Sequence, residues 1–123
     1  MRERLRAVPL FADLSDDELD KLASETSAFE APAGQALIER GRAGSGLFVL
    51  EEGTALVEAP EGSRELGAGD VFGERSLFGD DGERTARVRA LTDVRCLAIA
   101  RTEIEIVIAE HPGLGERLRQ LSD

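Results

Sequence analysis

The chain opens with two helical patterns of apolar positions. Leu5 and Val8 form a first short apolar stripe. Ser15 and Glu18 then have the spacing of a capping box, directly ahead of Leu19 and Leu22. The pattern predicts helix, turn, helix over residues 1–26.

From residue 27 to residue 100 the pattern changes to short apolar runs separated by turns that contain glycine. This stretch holds eleven of the thirteen glycines. Short strands at such close spacing are typical of a β-sandwich or barrel. The predicted strands are residues 28–31, 36–39, 47–50, 54–58, 64–66, 84–91 and 94–100.

Helical signals return in the last part of the chain, residues 101–123. Thr102 and Glu105 have the spacing of a second capping box, and Pro112 followed by Gly113 predicts the helix end. A last helix is expected from near residue 115, which leaves it about two turns, or about 12 Å.

Composition limits the class of protein. The chain has 123 residues, 41% of them hydrophobic, and a net charge of −10 from 15 basic and 25 acidic residues. A chain of this length buries roughly two thirds of its unfolded surface, so residues 1–123 are expected to form one domain. No apolar run approaches the roughly 20 residues of a membrane span. We expect a cytoplasmic protein with no membrane partner.

The supply of reactive side chains excludes several chemistries. His111 and Cys96 are the only residues of their types, which rules against a zinc or iron site and a disulfide framework. A catalytic serine or cysteine nucleophile would have His111 as its only possible histidine base. The position of His111 before Pro112 favours instead a structural contact with a helix C-terminus. The negative charge repels nucleic acid. We expect neither an enzyme nor a direct nucleic-acid binder.

The most informative stretch is residues 71–91. If its second half is a strand, Arg84 shares one face with Val88 and Ala90, while Arg87 and Arg89 share the other. An arginine on the interior face needs an anion. That anion is either a protein carboxylate, for which Glu74 is the nearest candidate, or a ligand.

The count of donor groups in this stretch favours a ligand. Gly73 opens a short segment whose backbone N–H groups can converge on an anion, and Thr85 adds a hydroxyl beside Arg84. A guanidinium, a hydroxyl and free amides together match a phosphate. Glu74 would then accept hydrogen bonds from sugar hydroxyls.

Residues 66–74, followed by Arg84, Thr85 and Ala86, resemble the phosphate-binding cassette of the cyclic nucleotide-binding domain family, and most closely its bacterial regulators. The resemblance extends over roughly residues 5–120. It implies an eight-stranded β-roll of the double-stranded β-helix or jelly-roll type, with helices before it (1–26) and after it (101–123).

The resemblance also implies roles for individual residues. Arg84 would pair with the phosphate oxygens and Glu74 with the ribose 2′-hydroxyl. Gly73 and the amide of Ser76 would line the pocket, and Thr85 would bond the phosphate through its hydroxyl or its amide.

Arg75 departs from the family pattern, because family members carry a small aliphatic residue at this position. Its side chain would be solvent-exposed, would add a second phosphate contact, or would mark a pocket that has changed its ligand. The C-terminal helices are also short compared with those of the family, so a helix that caps the base is expected to be truncated.

These observations favour a regulatory module that binds a 3′,5′-cyclic nucleotide as ligand and needs no cofactor. Cyclic AMP ranks before cyclic GMP, although the Thr85 hydroxyl keeps cyclic GMP open. The C-terminal helices would relay binding and offer a surface for a homodimer or an output partner. The alternative is a nucleotide-free roll that acts as a protein-interaction module, with Glu74 and Arg84 paired internally. An enzyme on a cupin-like barrel is a third hypothesis, which lacks histidine ligands.

Overall fold

The computed structural model describes residues 1–38, 46–60, 62–73 and 87–122. In these residues two four-stranded antiparallel sheets lie face to face, and helices cover one of them. The predicted mainly β roll with flanking helices is therefore confirmed. The strands are β1 (Thr26–Ala31), β2 (Ala36–Ile38), β3 (Leu47–Glu52), β4 (Ala55–Ala59), β5 (Gly62–Leu66), β6 (Val71–Phe72), β7 (Arg87–Ala90) and β8 (Val94–Ile99). The helices are α1 (Arg2–Arg6), α2 (Asp16–Ser24), α3 (Arg101–Glu110) and α4 (Pro112–Ser122), with a 3-10 turn at Pro9–Phe11.

The strand order is β1-β8-β3-β6 in the first sheet and β2-β7-β4-β5 in the second. Each predicted strand overlaps an observed one, although residues 39 and 84–86 of those predictions lie outside the described residues. Strand β6 was not predicted. It pairs with β3 through Phe48 with Phe72 and Val49 with Val71.

Side chains of β3 point to opposite faces of the first sheet and so contribute to two separate parts of the core. Leu47 and Val49 belong to the cluster that packs under the helices, whereas Leu50 belongs to the cluster between the sheets. The first sheet is thus apolar on both faces, because one face meets the helices and the other meets the second sheet.

Helix α2 begins with the predicted capping box. The Ser15 hydroxyl accepts from the Glu18 N–H at 3.1 Å, and the Glu18 carboxylate accepts from the Ser15 N–H at 2.8 Å. Leu19 and Leu22 are fully buried. The cap therefore fixes the start of the helix, while its two leucines attach the helix to the first sheet.

The second predicted capping box is wrong. Helix α3 begins at Arg101 behind Ala100, which makes no side-chain cap, so Thr102 lies inside the first turn. The Ala100 N–H donates to the Glu25 carbonyl at 3.1 Å, which extends the pairing beyond β8 and brings the helix start forward.

The expected start of the last helix is also wrong. Helix α3 does end at Glu110, ahead of Pro112 as predicted, but Pro112 is itself the first residue of α4. Proline is favoured at this position because its missing N–H would have no helical partner there. The helix has 11 residues and is about 16 Å long rather than about 12 Å.

Within the four described ranges, no helix is long and apolar enough to cross a membrane. The same residues contain no group of three or more His, Cys, Asp or Glu side chains arranged to hold a metal ion.

Candidate functional site

Of the six residues predicted to form a ligand site, the structure describes Gly73. The other five lie outside the described residues: Glu74, Arg75, Ser76, Arg84 and Thr85. The structure does define both ends of the segment that carries them. The segment leaves the first sheet at Gly73 and enters the second sheet at Arg87.

Gly73 has a backbone conformation that favours glycine. Its φ of +83° lies in the left-handed region, where glycine is strongly favoured over residues with a Cβ atom. Phe72, directly before it, is buried between the sheets. A glycine therefore turns the chain immediately after a residue that is fixed in the core.

The turn before β6 is attached to β3. Two backbone hydrogen bonds join them: the Gly69 N–H donates to the Leu50 carbonyl, and the Leu50 N–H donates to the Asp70 carbonyl, both at 2.8 Å. The Asp70 carboxylate also accepts from the Gly67 N–H at 2.8 Å. The approach to Gly73 is thus held by three bonds.

Strand β7 confirms the predicted alternation for the residues described. Val88 and Ala90 are buried between the sheets, while Arg87 is exposed. Arg89 also points away from the interior, with its Nε 3.5 Å from the Glu58 carboxylate.

Three phenylalanine rings form a row on the interior face of the first sheet, and the sequence pattern did not predict this row. The rings of Phe48 and Phe72 stack with their centroids 5.2 Å apart, and Phe29 meets Phe48 edge-on at 6.2 Å. Phe29 and Phe48 are only partly buried, so apolar surface remains accessible beside the strand that leads into Gly73. The alternation within β1 and β3 could have revealed that both rings share the interior face.

None of the Asp and Glu side chains that the structure describes is buried. The buried cluster between the sheets consists of apolar side chains and Cys96. Burial, with a smaller effect of the Glu51 charge, raises the pKa of the Cys96 thiol to about 11. The thiol is therefore neutral near pH 7.

A separate surface groove of about 270 Å³ lies against the outer side of β6. Pro9, Leu10 and Val71 line it together with Arg64 and the turn before β6. Val71 belongs to the core beneath the helices, so the groove opens on the helix side and not between the sheets. Gly73, the one predicted site residue that the structure describes, does not line it.

Comparison with known proteins gives a consistent result. The family model described as "Cyclic nucleotide-binding domain" matches residues 28–111, which is more than half of the chain. A cyclic nucleotide-gated potassium channel of Rhizobium etli is 33% identical over 114 residues, which cover 93% of this chain and 32% of the channel.

Two further comparisons agree. The CRP-like cAMP-activated global transcriptional regulator of Mycobacterium tuberculosis is 28% identical over 96% of this chain and 55% of its own length. The regulatory domain of Toxoplasma gondii PKA, solved with cAMP, superposes with a TM-score of 0.84 at 20% identity, over 98% of this chain and 48% of that one. The chain thus spans from about a third to about half of the length of these proteins.

Proposed function

This chain belongs to the cyclic nucleotide-binding domain family, and from that membership we propose that it binds a 3′,5′-cyclic nucleotide, cyclic AMP before cyclic GMP, and relays the binding event. The observation that carries the proposal is the family match over residues 28–111, because this range contains the whole segment in which the site was predicted.

Arg84 is the proposed phosphate ligand. The sequence alternation predicts that Arg84 would share the interior side with Val88 and Ala90, which are buried. None of the described Asp and Glu side chains is buried, so an arginine there would take its anion from outside the described residues, either the Glu74 carboxylate or a ligand. A phosphate would supply the missing anion through a charge-assisted, bidentate contact.

The remaining contacts follow from the chemistry of each group. The ionised Glu74 carboxylate would accept from the ribose 2′-hydroxyl. Gly73 and the amide of Ser76 would line the pocket, and Thr85 would bond the phosphate through its hydroxyl or its amide. The left-handed conformation of Gly73 and its fixed neighbour Phe72 support a preorganised start to this segment.

The choice of nucleotide follows from two considerations. The similar M. tuberculosis regulator is described as cAMP-activated, which supports cyclic AMP. The Thr85 hydroxyl would also bond a guanine amino group, which makes cyclic GMP the second choice. Arg75 is proposed as a second cation near the phosphate, since the overall charge of −10 opposes long-range attraction of an anion.

The relay would run through α3 and α4. Helix α3 follows β8 directly, and both helices bury apolar residues against the first sheet and α2, including Ile104, Leu114 and Leu118. A nucleotide that binds one arrangement of these helices better than another would shift their population. A second copy or an output partner would sense that shift at the C-terminal end.

Titration calorimetry with Arg84→Ala tests the proposal. The wild-type chain is titrated with cyclic AMP, cyclic GMP and the linear 5′-monophosphates. We expect tight binding of a cyclic nucleotide and a loss of about 3 to 5 kcal/mol in Arg84→Ala, because a desolvated phosphate would lose its partner. The matched control is Arg87→Ala, which removes the same charge from the exposed face of β7 and should leave the affinity within about threefold.

Two results would contradict this assignment. Undiminished cyclic AMP affinity in Arg84→Ala would remove Arg84 from the site. A wild-type chain that binds neither cyclic nucleotide at millimolar concentration would leave the nucleotide-free interaction module as the function.

A further inference from the structure

The ring of Phe48 packs on the last side chain before Gly73. Phe48 and Phe72 are direct partners in the antiparallel pair of β3 and β6, so their side chains lie next to each other on the same face of the first sheet. The two rings stack with their centroids 5.2 Å apart and an angle of 14° between their planes. Phe72 is buried, whereas Phe48 is only partly buried. Phe48 therefore covers one face of the Phe72 ring.

This stack holds the end of β6, whereas other contacts hold its beginning. Strand β6 has two residues and lies at the edge of the first sheet, where β3 is its neighbour. Two backbone hydrogen bonds to Leu50 hold the turn before β6, and Val71 packs into the core beneath the helices. The Phe72 side chain points to the opposite face, where it meets Phe48. The stack thus acts at the point where the chain leaves the sheet.

The direction of the chain at Gly73 depends on the residue before it. Gly73 has a φ of +83°, and glycine can adopt many more backbone conformations than other residues. A stacked aromatic pair contributes the equivalent of about two- to tenfold in an equilibrium constant beyond the burial of its surface. Without the stack, Phe72 would occupy more than one position, and Gly73 would leave the sheet in more than one direction.

We propose that Phe48 is a positioning residue for the nucleotide site, because its stack on Phe72 fixes the direction in which the chain enters that site at Gly73. The inference rests on the proposed function, in which Gly73 lines the pocket. The nucleotide binds the arrangement that the stack favours, and its apparent affinity scales with the fraction of molecules in that arrangement. This role requires no contact between Phe48 and the nucleotide.

Titration calorimetry of Phe48→Leu tests the proposal, because leucine keeps an apolar side chain but removes the stack. We expect the affinity for the cyclic nucleotide that the wild-type chain binds to fall by about five- to tenfold. Phe48→Tyr keeps the ring, and its hydroxyl can reach water from this partly buried position, so the affinity should stay within about twofold of wild type.

Phe29→Leu is the matched control. Phe29 is also partly buried against the cluster between the sheets and meets Phe48 edge-on, but it lies in β1, which β8 separates from β3. Its affinity should stay within about twofold of wild type. Both leucine variants remove a ring from the same cluster, so their melting temperatures should agree within about 3 °C. A loss of affinity in Phe48→Leu alone then reflects positioning and not stability.

Binding rates separate positioning from direct contact. A smaller binding-competent fraction slows association and leaves dissociation of the formed complex unchanged, whereas a lost contact with the ligand speeds dissociation. With a fluorescent analogue of the bound nucleotide, we expect Phe48→Leu to slow association by about five- to tenfold and to leave the dissociation rate within about twofold of wild type.

The outcomes distinguish this role from the proposed function. In a wild-type chain that binds nucleotide, an undiminished affinity of Phe48→Leu, an equal loss in Phe29→Leu, or a loss confined to the dissociation rate would overturn the positioning role and leave the proposed function intact. A wild-type chain that binds neither cyclic AMP nor cyclic GMP would contradict the proposed function, and the positioning role with it.

Discussion

At the scale of single residues, Gly115 holds the two C-terminal helices close together. It is buried in α4, and a Cβ atom placed there would lie 2.9 Å from Cγ2 of Ile108 in α3. That methyl group sits on the branched Cβ of isoleucine and cannot swing far away. The hydrogen of glycine thus sets the distance between α3 and α4 at this contact.

Gly115→Ala should therefore be less stable than Gly113→Ala. A Cβ at Gly113 meets its nearest neighbour at 3.6 Å, an ordinary contact, and both substitutions gain helix propensity. We expect Gly115→Ala to be less stable than Gly113→Ala by about 1 to 3 kcal/mol, because the inserted methyl group overpacks the contact. Urea unfolding of the two variants measures the difference. Equal stabilities would mean that Ile108 gives way freely.

Residue-level prediction succeeded where alternation decides the side that a residue faces. Val88 and Ala90 are buried and Arg87 is exposed, as their parity indicated. The contacts of His111 could not be predicted, because Asp13 and Glu18 are about a hundred residues away in sequence and the fold alone brings them to its ring. The roles of Glu74 and Arg84 stay predictions.

At the scale of elements, two segments with the same capping-box spacing behave differently. Ser15 caps α2, whereas Thr102 lies within the first turn of α3 and caps nothing. The spacing is a local signal, but the start of α3 is set by the sheet, because Ala100 still pairs with Glu25. Sequence spacing alone cannot reveal where a strand pairing ends.

These two positions make a matched test of the cap. Ser15→Ala should lower the free energy of unfolding by about 1 kcal/mol, because the Glu18 N–H loses its acceptor. Thr102→Ala should change it by less than about 0.5 kcal/mol, since Thr102 is exposed and makes no cap. Chemical denaturation of both variants measures these changes. A loss at Thr102 equal to that at Ser15 would contradict the observed helix start.

Strand β6 and helix α4 show two other limits of local pattern. A strand of two residues is too short for an alternation to be recognised, and Val71 and Phe72 are a strand only because β3 pairs with them. Pro112 both follows the end of α3 and starts α4, so reading it only as a stop shortened the predicted helix.

At the scale of the whole molecule, the roll depends on pairings between distant parts of the chain. Strand β8 lies between β1 and β3, so residues 94–99 pair with residues 26–31 and 47–52. Composition and glycine-bounded runs predicted a β-sandwich or barrel, but not which strands pair. The strand order is set by pairings between distant segments, which local patterns do not reveal. The roll topology was therefore predicted only from the family resemblance.

Cys96 reports on the unfolding of this whole assembly. It is the only cysteine, it is fully buried in β8 between the sheets, and burial raises the pKa of its thiol to about 11. A thiol reagent reacts with the exposed thiolate. At about pH 8 an unfolded chain, with a cysteine pKa near about 8.5, should therefore be labelled at least about 100-fold faster than the native chain.

This labelling connects the fold to the proposed ligand. A nucleotide that binds only the native state at about 100 times its dissociation constant adds about 2.7 kcal/mol of stability. Labelling of Cys96 through global unfolding should then slow by about 100-fold in the wild-type chain, because the rate follows the unfolded population. Arg84→Ala should show little slowing at the same nucleotide concentration, while Arg87→Ala should slow like wild type. If nucleotide bound by calorimetry but left the labelling rate unchanged, Cys96 would be reached through a local opening of β8, and the two sheets would not unfold as one unit.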